Sequence, residues 1–261
     1  MTDRKTLLKQ IENAGIKHDD TVMIHISLKA LGEVEGRAEG FIDTFREYLS
    51  DGLLLIPTHT WASVHRSATV FDVRSTVPCL GTLPTIAAFH KDAVRSLHPT
   101  HSIAAFGKRA QEYVKNEETC RTPTPTHGCW GRLYDENAKI LLVGVSHGRN
   151  TFIHAVDEMV DVPNRLSQDE VPFTVIDKDG NEIAVPAKTH WGINSDYFTK
   201  FTHLLESEGA TENTKIGLAD TIVCDAKKLA DTLIPILSAA KEKGVNVCAD
   251  DKSLYKIFFG K

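Results

Sequence analysis

The feature that most constrains this chain is a pair of short apolar runs separated by one amphipathic helix. Thr21-Val22-Met23-Ile24-His25-Ile26 reads as a buried strand, and Leu53-Leu54-Leu55-Ile56-Pro57 as a second. Between them Phe41, Ile42, Phe45 and Leu49 recur at helical spacing, and Asp51-Gly52 supplies the turn back. Strand, helix, strand at this length is a βαβ unit, so the two strands are predicted to be parallel. A parallel pair commits the chain to an α/β sheet with ligands at the carboxyl edge of its strands.

The rest of the sequence extends that sheet. Asp3 is placed to cap a first helix through Leu7, Leu8 and Ile11, ending near Gly15. Residues 27–36 read as a loop, and residues 58–80 as a long one without periodicity, which in a compact domain is usually functional or mobile. Helix is predicted over residues 83–90, then a loop from Arg95 to Ser102, a short strand Ile103-Ala104-Ala105-Phe106, and a helix from Lys108. Prolines at alternate positions in Thr122-Pro123-Thr124-Pro125-Thr126 fix an extended connection. Ile140-Leu141-Leu142-Val143-Gly144-Val145 is a third buried run, followed by a loop and then a helix that carries His154. Residues 171–176 and 182–185 flank Asp177-Lys178-Asp179-Gly180-Asn181 and read as an antiparallel hairpin. Helices are expected at about 194–208 and 225–240, with Ile222-Val223-Cys224 as a strand between them. The expected fold class is α/β: a single domain over residues 1–261, with a central mixed β-sheet flanked by helices and an antiparallel hairpin in the C-terminal half.

Composition narrows the function classes. A net charge of −5 argues against a nucleic-acid partner and suits a cationic one. No run is long and apolar enough to span a membrane, and no signal-type segment leads the chain, so a cytoplasmic location is expected. The five cysteines are widely spaced without a CxxC pair, which fits reduced, mostly buried thiols.

His154 is the first candidate for chemistry. It lies in Asn150-Thr151-Phe152-Ile153-His154, just after the third apolar run, in the first turn of a helix at the sheet's carboxyl edge. Imidazole moves protons near neutral pH, and Asp157 and Glu158 stand one helical turn on. A surface histidine balanced by helix charges fits the same segment equally well. Arg95-Ser96-Leu97-His98-Pro99-Thr100-His101-Ser102 offers two imidazoles at i, i+3. Pro99 breaks any helix there, so histidines that shape the loop are favoured over a metal pair. Thr126-His127-Gly128-Cys129-Trp130 sets a thiol beside an imidazole, but adjacent residues rarely face each other, and a buried Cys129 packed under Trp130 is favoured.

Three stretches together carry a resemblance. They are Ile24-His25-Ile26-Ser27-Leu28-Lys29-Ala30-Leu31-Gly32-Glu33-Val34-Glu35-Gly36, then Arg95-Ser96-Leu97-His98-Pro99 with Ser102, and then the run from Leu133 through Leu141-Leu142-Val143-Gly144-Val145 and His154 to Asp161-Val162-Pro163-Asn164-Arg165. In this order and spacing the chain resembles the aminoglycoside N3-acetyltransferases, which do not share the common GNAT fold. The resemblance implies acetyl transfer from acetyl-CoA, as co-substrate, to the 3-amino group of an aminoglycoside, conferring resistance, with no metal. It implies cofactor contacts at Ser27, Leu28, Lys29, Leu31, Val34, Ser96 and Ser102, and His154 as the catalytic histidine. Trp61, Asp72 and Asp157 are the candidate contacts for a cationic amine. The expected partners are that amine and coenzyme A, without nucleic acid or membrane, and with a homodimer left open.

The sequence also departs from the family. The usual Gly-Glu-Gly-Ser-Pro segment, whose glutamate orients the histidine, is replaced by Thr124-Pro125-Thr126-His127-Gly128. The orienting role falls to His127 or Thr126, or to Asp157 or Glu158. The acid common after the tryptophan of the long loop is Ala62 here, and Arg37 stands where a glycine is usual. Two other readings stay open: acylation of an amine that is not an aminoglycoside, and a zinc hydrolase built on His59, His98, His101 and His127. A non-catalytic relative that binds CoA is a third.

Overall fold

The computed structural model describes residues 1–192 and 195–243; Cys248 and Asn194 lie outside them. Helix α1 (Arg4–Asn13) opens on Asp3, whose carboxylate accepts the Thr6 amide at 2.7 Å. Strand β1 (Thr21–Ile26), helix α3 (Arg37–Tyr48) and strand β2 (Leu53–Pro57) form the expected βαβ unit, with Thr21 opposite Leu53 in parallel register. The loop expected between β1 and α3 contains a short helix, α2 (Leu28–Leu31), started by the Ser27 hydroxyl accepting the Ala30 amide at 3.3 Å.

The long loop after β2 holds only a short strand, β3 (Val70–Asp72). Helix α4 (Thr82–Ala88), strands β4 (Val94–Arg95) and β5 (Ile103–Phe106), and helices α5 (Ala110–Tyr113) and α6 (Arg132–Asp135) follow. Strand β6 (Lys139–Val143) then leads to helix α7 (Phe152–Met159). The C-terminal half comprises strands β7 (Val171–Ile176) and β8 (Glu182–Ala187), helix α8 (Thr202–Ser207), strands β9 (Thr211–Ile216) and β10 (Ala219–Asp225), and helix α9 (Ala226–Glu242).

The main sheet is mixed, in the order β4-β5-β2-β1-β6-β10-β9. Its centre, β2-β1-β6, is parallel, and β5 and β10 run antiparallel on either side. The hairpin pairs as expected, but with β3 it forms a separate three-stranded sheet. Alternation along β1 divides the core between the sheet's two faces. Met23 joins Trp130, Phe152 and Leu229 on one face, while Val22 and Ile24 join Ile11, Phe41 and Phe45 on the other. Gly144, just past β6, has φ +65°, and a Cβ there would lie 2.3 Å from the Ala30 Cβ. This close approach seats α2 against the end of β6. No helix among the described residues is long and apolar enough to cross a membrane.

Candidate active site

Because β1, β2 and β6 are parallel, their carboxyl ends share one edge of the sheet, and a cavity of about 960 Å³ opens there. Ile26, Pro57 and Val145 line its floor at those strand ends, and His154 enters from the first turns of α7. This is the edge the βαβ pattern predicts.

Four imidazoles run in contact along the wall. His59 and His101 have ring centroids 4.5 Å apart, His101 and His190 4.6 Å, and His190 stacks on His154 at 4.1 Å. Burial pushes His154 and His190 down to about 3, with Arg165 adding to the effect on His154 and His154 to that on His190. Burial, then the neighbouring histidines, hold His59 and His101 well below the usual range. The wall is therefore neutral at pH 7.

His98 stands behind this row and is fully committed. Its Nδ1 accepts the Thr100 and His101 amides at 3.2 and 3.0 Å, and its Nε2 donates to the Thr122 carbonyl at 3.0 Å. It shapes the loop and has no lone pair left for a metal. Among the described residues no group of three or more His, Cys, Asp or Glu is placed to hold a metal ion.

The partner of His154 is a residue to which sequence reasoning gave no role. Arg165 Nη2 donates to His154 Nδ1 at 3.0 Å, and Arg165 Nε donates to Asp157 Oδ2 at 2.9 Å. Asp161 and Asn164, at φ +53° and +61°, take left-handed turns that fold the chain after α7 back so that Arg165 reaches the helix. Asp157 Oδ2 is itself 3.8 Å from His154 Nδ1 and accepts Tyr197 Oη at 3.3 Å. Burial raises the Asp157 carboxyl to about 6, against the pull of Arg165.

The structure places the other expected site residues as follows. His127 is exposed in the turn closed by the Gly128 amide on the Pro125 carbonyl, and it does not line the cavity. Thr126 is exposed beside it. Glu158 does not face His154: it accepts Thr122 Oγ1 at 2.5 Å and the Thr124 amide and hydroxyl at 2.8 and 2.7 Å, with His190 Nε2 at 3.8 Å. Asp157 is buried behind Arg165, out of reach of a substrate. Asp72 is paired with Arg74 and does not line the cavity. Leu31 and Val34 are core residues. The Ser96 hydroxyl accepts the Ile103 amide at 3.0 Å, and that of Ser102 donates to the Thr58 carbonyl at 2.8 Å, so both serve the loop. Cys129 is buried in one core cluster with Trp130, and burial pushes its thiol well up, which disfavours a nucleophile. Trp61 lines the cavity, half-exposed. Of the first loop, Ser27 caps α2, Leu28 is half-buried and Lys29 is exposed beside it. Sequence reasoning missed His190, Arg66 and Arg149, all of which line the cavity.

A family model described as aminoglycoside 3-N-acetyltransferase matches residues 23–238, from β1 into α9. The chain belongs to this family. As a member it is an acyltransferase. Among curated relatives, the SPbeta prophage-derived aminoglycoside N(3')-acetyltransferase-like protein YokD of Bacillus subtilis (strain 168) is 20% identical over 88% of this chain and 89% of its own. Aminoglycoside N(3)-acetyltransferase VIII of Streptomyces fradiae is 27% identical over 66% of each chain. Among solved structures, a variant of the aminoglycoside acetyltransferase AAC(3)-IVa in complex with a gentamicin superposes with a TM-score of 0.79 at 20% identity, over 97% of each chain. The binary complex of AAC-IIIb with CoASH superposes with a TM-score of 0.77 at 18% identity, over 92% of this chain and 97% of the other. These solved structures thus share the fold of this chain.

Proposed function

We propose that this protein acts as a single domain that transfers the acetyl group of acetyl-CoA directly to a primary amine, with His154 receiving the amine's proton. The observation that carries this reading is the placement of His154 in the cavity wall at the carboxyl edge of β1, β2 and β6, backed by Arg165 and Asp157. The names of relatives crystallised with CoA and with gentamicin support the two ligand classes. They supply an aminoglycoside's 3-amino group as the acceptor; the geometry supports an amine in general.

In the step, the amine lone pair attacks the thioester carbonyl, a C–N bond forms, and the C–S bond breaks as CoA leaves as a thiolate. The amine proton passes to His154 Nε2 and from there to the thiolate sulfur. To receive it, neutral His154 must carry its own proton on Nδ1, where Asp157 Oδ2, 3.8 Å away, is the available acceptor. The Ser27-Leu28-Lys29 segment at the end of β1 is the proposed cofactor contact.

His154→Ala is expected to lower turnover by about 10²–10⁴-fold while leaving CoA binding intact. Thiol-release kinetics and calorimetric CoA titration read the two effects separately. Undiminished turnover in the variant would remove His154 from the mechanism.

A further inference from the structure

The ionic lining of the cavity has one sign. Arg66 and Arg149 line it, and among the described residues no Asp or Glu does. The carboxylates nearest the chemistry are already committed, Asp157 to Arg165 and Glu158 to Thr122 and Thr124. Arg149 has Asp196 at 3.4 Å, whereas Arg66 makes no ion pair among the described residues. The four contiguous imidazoles are held neutral by burial. Two large aromatic faces complete the lining: Trp61 is 51% exposed and Trp191 67%.

A polycationic amino sugar has several ammonium groups to bring out of water. Each one needs a carboxylate or other acceptor in the wall, and an unpaired guanidinium repels it. This wall supplies guanidinium and indole instead. Indole faces suit an apolar or aromatic body, and an unpaired arginine suits a carboxylate, which it binds in a two-point fork.

We propose that the acyl acceptor is a primary amine with at most one positive charge, an aromatic or apolar body that packs on Trp61 and Trp191, and a carboxylate that meets Arg66. The inference rests on the acetyl-transfer reading above and names its acceptor class. It makes this family member selective against polycationic aminoglycosides. Arg66 is assigned to the acceptor rather than to the phosphates of CoA because it lines the cavity from the loop after β2, with Trp61, whereas the Ser27-Leu28-Lys29 segment proposed for the cofactor is not among the lining residues.

The experiment is thiol release from acetyl-CoA by the full-length protein with three acceptors. These are 4-(aminomethyl)benzoate, 2-phenylethylamine, which lacks the carboxylate, and gentamicin. The expected order of kcat/KM is the one just given, with about tenfold or more between the first and the last. Arg66→Glu, at an exposed position that leaves folding unaffected, is expected to raise KM for 4-(aminomethyl)benzoate about tenfold, improve gentamicin, and leave KM for acetyl-CoA unchanged. Gentamicin as the preferred acceptor overturns the inference and leaves the acetyl-transfer reading standing. A rise in KM for acetyl-CoA instead of the acceptor assigns Arg66 to cofactor phosphate and overturns it as well. No thiol release with any of the three, in protein that still binds CoA by calorimetry, overturns both.

Discussion

The histidines make the folded state acid-labile, and the size of the effect follows from the structure. Burial lowers His25 and His154 to about 3, His190 to about 3 and His147 to about 4, and it lowers His59, His98 and His101 as well. A histidine depressed in the folded state gives stability that is complete above the unfolded value of about 6.5 and is lost as pH falls below it, because only the unfolded chain then takes up the proton. Each such group contributes a slope of roughly 1.4 kcal/mol per pH unit. Lowering pH from 7.5 to 5.5 therefore costs roughly 1.4 kcal/mol for each histidine held well below that range, or about 8 kcal/mol for the six other than His98, which adds to it in the same direction. Asp157 opposes this weakly: its raised carboxyl holds a proton in the folded state as pH falls through about 6, which returns roughly 1 kcal/mol.

A cost of that size rivals the whole stability of a domain, about 5–15 kcal/mol. If water entering the cavity halves it, a loss of about 4 kcal/mol still lowers Tm by roughly 10 °C for a chain this long. Urea unfolding at half-unit pH steps gives the proton uptake directly as the slope of ΔG against pH, and calorimetry gives Tm. An uptake of four or more protons near pH 5.5 is expected. An uptake below two, or a Tm shift below about 4 °C, would show that the histidine wall is hydrated and would refute the reasoning.

The same depressed values predict that kcat/KM has no limb near pH 6.5: His154 is neutral throughout, so activity should rise only with deprotonation of the acceptor amine, as a pH–rate profile with a monoamine would show. Arg165→Met leaves Asp157 buried without its cation, and a loss of about 3–5 kcal/mol is expected by urea unfolding. Gly144→Ala places a methyl 2.3 Å from Ala30 Cβ at φ +65° and is expected to cost about 1–3 kcal/mol and to weaken CoA binding through displacement of α2; unchanged thermal melting would contradict the packing. Arg37 is exposed at φ +56°, so Arg37→Gly is expected to stabilise the protein by about 1 kcal/mol, read as a higher Tm.

The elements legible in the sequence are those whose burial pattern is local. Asp3 caps α1, the β1–α3–β2 unit carries its own periodicity, and the third apolar run with α7 places His154 at the sheet edge. Strand β9 was not legible because it is an edge strand with Glu212, Asn213 and Lys215 in a polar row, and its identity comes from pairing with β10. The separate small sheet was equally hidden, since β3 joins β7 across about a hundred residues. In the site, His190 comes from beyond β8, with no local pattern to mark it; only the docking of the hairpin sheet brings it onto His154. The orienting group is expected from the sequence at His127, Thr126, Asp157 or Glu158, whereas the chain brings a guanidinium, that of Arg165, to His154 Nδ1 through two left-handed turns.

That substitution changes what the histidine can do, because the bond on one ring nitrogen decides the state of the other. A carboxylate at Nδ1 accepts a proton and leaves the Nε2 lone pair free. A guanidinium at Nδ1 only donates, so it fixes the neutral ring with its proton on Nε2, facing the cavity as a donor. This protein holds both partners at once, Arg165 at 3.0 Å and Asp157 at 3.8 Å from the same nitrogen, and ties them together at 2.9 Å. Passing from one tautomer to the other exchanges one charge-assisted bond for another, so the two arrangements differ by no more than a few kcal/mol. In the proposed reaction the exchange also has the right electrostatic direction. The exchange comes first: only with the ring proton on Nδ1, facing Asp157, does Nε2 carry the lone pair that receives the amine proton, and the cationic ring that results repels Arg165 and favours Asp157. In this proposal the role of the missing glutamate is divided: Asp157 faces the Nδ1 proton of the reactive and of the charged ring, and Arg165 holds the resting neutral ring.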